Sequence, residues 1–275
     1  MESSGFLERV RGFREEDLRT YKVVKLGGSL ITYKDRPLAL REDILRSISR
    51  EIKMAWDDGF RRILIIHGGG SFGHYIASKV ISEKGFIDPQ GFSDIAWYMN
   101  ELNREVVRSL REQGLPAVQI STRGVVYERG GSLNINTDLM RMLIDSGLLP
   151  VLFGDVIICE KGFRIVSGDE LAWISALGIG AEWVLFASTV DGVYEKPPEK
   201  GGGSIIRVLR ISRDFNVELG GGFGVDVTGG MRTKILSGRI ALERGVRGFI
   251  FNGLKPGNVY RAIVGLLDEG TVIEY

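Results

Sequence analysis

Apolar residues recur along this chain in two rhythms. Short runs at residues 21–26, 62–66, 117–120, 149–153, 183–187, 248–252 and 271–274 have the length and the Val, Ile, Leu and Phe content of buried strands. Between them the apolar positions return every three or four residues. Ile44, Ile48, Ile52 and Ala55 predict one helix between residues 40 and 58, and Ile95, Met99, Leu102, Val106 and Leu110 predict a longer one, stopped by Gly59 and Gly114. Further helices are predicted behind Thr137, behind the capping-box sequence Ser167-Gly168-Asp169-Glu170, over residues 230–244 and around 259–267. Gly154-Asp155 interrupts one apolar run before Val156-Ile157-Ile158, and a short strand is expected at 204–209 after an exposed loop. Strand and helix alternate over nearly the whole length, which predicts a mostly parallel sheet covered on both faces. Phe6, Leu7, Val10 and Phe13 among charges predict an amphipathic helix in an extension, residues 1–20. Two lobes are expected to share the sheet, residues 21–180 and 181–275.

Glycine clusters mark three junctions in this pattern. Gly27-Gly28-Ser29 follows the first strand. The stretch His67-Gly68-Gly69-Gly70-Ser71-Phe72-Gly73-His74 follows the second and opens a helical segment carrying Ile76, Ala77, Val80 and Ile81, and Asp226-Val227-Thr228-Gly229-Gly230 precedes a third helix. At a helix start the first N–H groups lack intrahelical partners and carry the positive end of the macrodipole, so an anion can settle there. Glycine lets the backbone approach it without a Cβ in the way. The central stretch is therefore expected to bind phosphate, with His74 beside it as a ligand and His67, at the strand end, making a structural hydrogen bond.

Gly68, Gly70 and Gly73 satisfy the dinucleotide fingerprint G-x-G-x-x-G, but the acidic residue it needs about 20 positions on would be Asp88, inside Gly85-Phe86-Ile87-Asp88-Pro89, which reads as a loop. The string of a P-loop is absent. A ligand-free tight turn explains one such cluster and strains to explain three. Lys25 precedes Gly27-Gly28, Lys34 follows it, and Lys234 lies one turn into the helix that Gly230 opens. Two phosphates brought together repel by about 1 kcal/mol per unit charge pair at 4 Å even in water, and lysines and a metal ion can offset that. Phosphoryl transfer needs mainly positioning and positive charge from a protein.

Composition adds limits. With 36 Lys and Arg against 35 Asp and Glu the net charge is +1, so there is no global reason to expect a nucleic-acid or membrane partner and anion recognition must be local. Cys159 is the only cysteine, which excludes an intrachain disulfide, suits a reducing cytoplasm and, in its apolar setting, reads as a packed thiol. Residues 1–20 are too charged for a secretory signal, and no run approaches the roughly 18 apolar residues of a membrane helix.

Lys25-Leu26-Gly27-Gly28-Ser29, His67-Gly68-Gly69-Gly70, Asp191-Gly192-Val193-Tyr194 and Asp226-Val227-Thr228-Gly229-Gly230-Met231 with Lys234 resemble the amino acid kinase superfamily in order and spacing. Within it, Gly69 to His74 followed by Gly154-Asp155-Val156 and Ser167-Gly168-Asp169 is similar to the isopentenyl phosphate kinases. The resemblance implies a three-layer α/β/α sandwich and a homodimer, with the acceptor in the N-terminal lobe and ATP with Mg2+ in the C-terminal one. It also implies direct in-line transfer to isopentenyl phosphate.

Carried over, Lys25 and Lys234 flank the transferring group, Lys34 stabilises it and Asp169 orients the lysines, although Asp169 equally suits the first turn of a helix. Lys25, Gly27, Gly28, Ser29, Gly70, Ser188, Asp191, Tyr194, Gly229, Gly230 and Lys234 would hold ATP, while Gly69, Gly70, His74 and Gly154 would hold the acceptor phosphate. No protein-bound metal is expected. Two departures stand out: Tyr75 replaces the usual proline after the histidine, and Ser188-Thr189 replaces Thr-Asp. The acceptor's tail needs an apolar slot, expected from the helix of Ile95, Trp97, Tyr98, Met99 and Leu102. Alternatives are a fosfomycin-type phosphonate kinase, whose acceptor is small and polar, and a nucleotide-binding module without turnover.

Overall fold

The computed structural model describes residues 15–196, 203–211, 217–218 and 229–275. Its strands, in chain order, are β1 Lys22–Leu26, β2 Ile63–His67, β3 Ala117–Gln119, β4 Val126–Arg129, β5 Ser132–Ile135, β6 Leu149–Phe153, β7 Asp155–Cys159, β8 Gly162–Val166, β9 Trp183–Ser188, β10 Val193–Tyr194, β11 Ile205–Ile206, β12 Val208–Ile211, β13 Val217–Glu218, β14 Arg247–Asn252 and β15 Thr271–Glu274. Nine of them form one sheet in the order β13-β12-β15-β14-β9-β1-β2-β6-β3. Pairing is parallel except where β15 meets β14 and β13 meets β12. The expected mostly parallel architecture is what forms.

Alternation along the central strands sends successive side chains to opposite faces. Val24, Leu26, Ile63 and Ile65 join one core with Leu45, Ile48, Met99, Leu102 and Val259. Val23, Leu64 and Ile66 join the other with Met140, Ile144, Leu171, Trp173 and Leu242. Helices Glu42–Asp57, Pro89–Glu112 and Asn258–Ile263 thus cover one face, and Thr137–Asp145, Gly168–Ile179 and Arg239–Glu243 the other, a three-layer sandwich.

Local departures have physical reasons. Val156-Ile157-Ile158 belongs to an antiparallel hairpin of β7 with β8. The single helix predicted over 230–244 is two, Gly229–Leu236 and Arg239–Glu243. Trp173 lies against the joint, where a Cβ at Gly238 would stand 2.4 Å from its ring. Its indole N–H donates to the Lys234 carbonyl at 2.9 Å, and the Ser237 hydroxyl donates to the same oxygen. The amphipathic helix expected from Phe6, Leu7, Val10 and Phe13, and the positions of Asp226 to Thr228, lie outside the described residues.

One contact joins segments remote in sequence. The buried carboxylate of Glu51, on Glu42–Asp57, accepts the backbone N–H groups of Gly257 and Val259 at 2.9 Å and of Tyr260 at 3.1 Å. It caps the start of Asn258–Ile263. The Tyr260 hydroxyl donates to Asp58 at 2.7 Å.

Candidate active site

The carboxyl ends of β1, β2, β6 and β9 meet almost backbone to backbone. A Cβ on Gly28 would lie 2.4 Å from the Gly70 nitrogen, one on Gly154 2.7 Å from the Gly168 nitrogen, and one on Gly168 2.9 Å from the His67 carbonyl. Gly70 also has φ +50°, in the left-handed region. Glycine is required here by close approach. The backbone N–H groups of Gly28 and Gly70 make no backbone hydrogen bond among the described residues, as holds for the first amides of a helix.

Over this floor lies a cleft of about 540 Å³. Its wall includes Lys25, Lys34, Lys234, Asp169 and His74, together with Gly27, Gly28, Ser29, Gly69, Gly70, Gly154, Ser188 and Gly230. Three ammonium groups from remote segments therefore share one cavity. Lys25, next to last in β1, and Lys234, on Gly229–Leu236, both reach Oδ1 of Asp169, at 2.7 and 2.6 Å. Lys34 is exposed on the loop after Gly28–Ile31.

Asp169 stands in the first turn of Gly168–Ile179, behind the cap in which Ser167 Oγ accepts the Glu170 N–H at 3.1 Å. The Glu170 carboxylate pairs with Arg164. Burial alone would raise the Asp169 carboxyl, but the two ammonium groups outweigh it and hold it well below the usual carboxylate range. Burial and repulsion from Lys25 push Lys234 down to about 8 against the pull of Asp169. Its ammonium also sits 4.8 Å from the centre of the Phe186 ring. Three positive groups against the Asp169 carboxylate leave an excess of positive charge facing the cavity.

The two histidines are in opposite environments. His67 is fully buried, with Nε2 3.0 Å from Asn103 Nδ2 and Nδ1 3.0 Å from the Gly68 carbonyl. The Asn103 amide can only donate there, so Nδ1 carries the proton and donates to Gly68. Burial lowers its pKa to about 4 and keeps it neutral. His74 is exposed at the mouth of the cleft.

The same cleft is also lined by the apolar side chains of Ala77, Ile95, Met99 and Ile165. Met99 also packs on the glycine loop, its sulfur 3.0 Å from where a Gly73 Cβ would be. Of the helix residues expected there, Trp97 is 66% exposed and Leu102 belongs to the core, so only Ile95 and Met99 face the cleft. Asp155, at the cavity wall, is buried and paired with Arg123, whose guanidinium also reaches the Ala96 carbonyl at 3.3 Å. Burial pushes the Asp155 carboxyl up to about 7 although Arg123 opposes it.

Asp191 and Tyr194 lie apart from the cavity lining and engage each other at 3.2 Å, with Asn252 and Lys255 also on Asp191. Gly229 opens its helix. Asp88 caps Pro89–Glu112 through the Gly91 N–H at 2.8 Å, a structural use that leaves no acidic partner for a dinucleotide ribose. Thr32, Asn103 and Arg123 support the site and carry no signal of their own in the sequence, since each has a partner dozens of residues away; Asp155, the partner of Arg123, is marked only by its place in Gly154-Asp155-Val156.

A profile of the amino acid kinase family matches residues 20–252, and the chain belongs to that family. Its curated relatives narrow the comparison. The chain is 34% identical to an isopentenyl phosphate kinase of Methanocaldococcus jannaschii over 92% of its own length and 98% of the relative's. It is 36% identical to one of Haloferax volcanii over 87% and 98%. A crystal structure of an isopentenyl phosphate kinase superposes with a TM-score of 0.77 at 30% identity, covering 92% of this chain and all of the other. The chain is thus a small-molecule kinase built on the fold of these enzymes.

Proposed function

We propose that the protein transfers the γ-phosphoryl group of ATP to isopentenyl phosphate, giving ADP and isopentenyl diphosphate. The observation that carries this reading is the mixed lining of one cleft, in which glycines and lysines share the wall with the apolar side chains of Ala77, Ile95, Met99 and Ile165. An alkyl monophosphate needs both kinds of wall, whereas a small polar acceptor leaves the apolar one unused. The names of the relatives agree with it.

In this reading His74, Gly69 and Gly154 hold the acceptor phosphate, and the amides of Gly28 and Gly70 hold phosphates of ATP, with Gly27, Ser29, Ser188 and Gly230 beside them. Residues 21–180 supply the acceptor side and 181–275 the nucleotide side. An acceptor oxygen attacks the γ-phosphorus as the bond to the departing ADP oxygen breaks, in line and without a covalent enzyme intermediate. The attacking oxygen is already anionic, so no general base is needed. Lys25 and Lys234 offset the charge spread over the moving group, Asp169 fixes their tips about one point, and Lys34 approaches from the opposite loop.

The glycine cradle and lysines fit a polyphosphate. Among the described residues no group of three carboxylate, imidazole or thiolate side chains converges to hold a metal. Mg2+ would accordingly arrive on the phosphates of ATP and supply further charge neutralisation. Asp191, Tyr194 and Gly229 are assigned to the nucleotide on family resemblance alone, as is pairing with a second copy, whereas residence in the cytoplasm rests on the single cysteine and the charged residues 1–20. Light scattering of the purified chain tests the dimer.

The decisive assay measures ADP release with isopentenyl phosphate, fosfomycin, glutamate and uridylate as acceptors. Preferred turnover of the first is expected, and its absence refutes the assignment.

A further inference from the structure

We propose that Thr32 is a positioning residue that ties together the two glycine junctions and the Lys34 loop; the proposal deepens the kinase reading and rests on it. Thr32 is buried and lies behind the cleft rather than in its wall. Its hydroxyl donates to the Gly28 carbonyl at 2.8 Å, and its backbone N–H donates to the same oxygen at 2.9 Å. The hydroxyl oxygen in turn accepts the Ser71 N–H at 2.9 Å. One oxygen atom thereby joins the first loop to the second, 39 residues away in sequence.

Three consequences follow from this placement. A peptide unit is planar, with its C=O and N–H pointing opposite ways. Holding the Gly28 oxygen back from the cleft aims the Ser29 N–H of the same unit the other way, and Ser29 lines the cleft. The hydroxyl also sets the spacing of the loops, since a Cβ on Gly70 would fall 2.2 Å from Thr32 Oγ1 and 2.8 Å from the Gly28 oxygen. Finally, Thr32 pairs with Leu40 as the Tyr33 N–H donates to the Ala39 carbonyl, closing the base of the loop that carries Lys34.

Amides and an ammonium that act on one anion must keep a fixed separation, and small misplacements are costly in rate. The shape of a threonine serves this only through its hydroxyl, because valine has the same outline and would leave both the Ser71 N–H and much of the Gly28 carbonyl's bonding unmet.

The experiment compares Thr32→Val and Thr32→Ser with the wild type for kcat, both KM values, ADP affinity by calorimetry and thermal midpoint. Thr32→Val is expected to lower kcat at least tenfold and weaken ADP at least fivefold, with acceptor KM within twofold. Thr32→Ser is expected to restore both to within threefold. Wild-type kcat and ADP affinity in the valine variant overturn the proposal, as does a loss that serine leaves unrepaired. Should the valine variant not fold, Thr32→Ala, which leaves room for water, carries the same expectations. A wrong acceptor assignment shows in the wild type alone, as no turnover of isopentenyl phosphate. The kinetic ratios are then read on whichever acceptor reacts, and ADP affinity still decides the role of Thr32.

Discussion

Two helix starts in this molecule receive opposite treatment. At Asn258–Ile263 the chain supplies its own anion, the Glu51 carboxylate, which takes three backbone N–H groups. At Gly70–Lys84 the N-cap is Gly69, whose missing side chain offers nothing; Thr32 Oγ1 takes only the Ser71 N–H, and lysines share the cleft with the Gly70 end. An oriented set of N–H groups costs stability when left unpaired, so a fold fills it unless something else is to occupy it. The contrast separates a contact that ties Glu42–Asp57 to Asn258–Ile263 from a helix start that, in the proposed reading, receives phosphate.

The largest effect expected from breaking this contrast lies on the cleft side. Lys234→Ala and Lys25→Ala should each lower kcat by about 10³-fold while the thermal midpoint stays close to wild type. Equal turnover in either variant removes that lysine from the transfer step. On the capped side the sign of the trade reverses. Glu51→Ala should cost about 3 kcal/mol in urea unfolding, because three charge-assisted hydrogen bonds disappear together, and leave kcat and both KM values unchanged.

His67 gives the contrast a pH dependence in stability. An unfolded imidazole binds its proton near 6.5, the buried one only near 4, so the unfolded state carries more protons between those values. Its contribution is complete above pH 6.5 and is lost as the pH falls through 4, about 3 kcal/mol in all. Urea melts at pH 7 and pH 4 should show this loss in the wild type and a flatter response in His67→Gln.

Lys234 gives a corresponding limit in activity. With its pKa near 8 in the free protein, kcat/KM should fall toward tenfold per pH unit above that value. Asp169→Asn, which removes the attraction that raises it, should move this limb to lower pH. The smallest effect belongs to Trp97, exposed and outside the cleft lining: Trp97→Ala should leave acceptor KM within twofold, whereas Met99→Ala should raise it.

Much of this is legible in the sequence itself. The central strands announced themselves because they are buried on both faces and read as continuous apolar runs. The lysines stood out because each flanks a glycine turn. The hairpins β4–β5 and β7–β8 are not legible there, since β4, β5 and β8 are largely half-buried or exposed with no clean alternation, and β7, though buried over Asp155 to Ile157, reads as a continuation of the β6 run. The helix break at Gly238 depends on Trp173, and no local window contains both. Thr32 and Asn103 escaped for the same reason: a hydroxyl or amide becomes informative only when the fold delivers its partner.

Trp173 also offers something practical. Its buried indole is bonded to the carbonyl of Lys234 and lies 5.1 Å, centre to centre, from Phe186, over which the Lys234 ammonium rests. A shift of that helix would disturb the indole's surroundings, so with Trp56, Trp97 and Trp183 replaced by phenylalanine, the emission of Trp173 on adding ADP would serve as a built-in optical gauge, needing no dye and no labelled ligand.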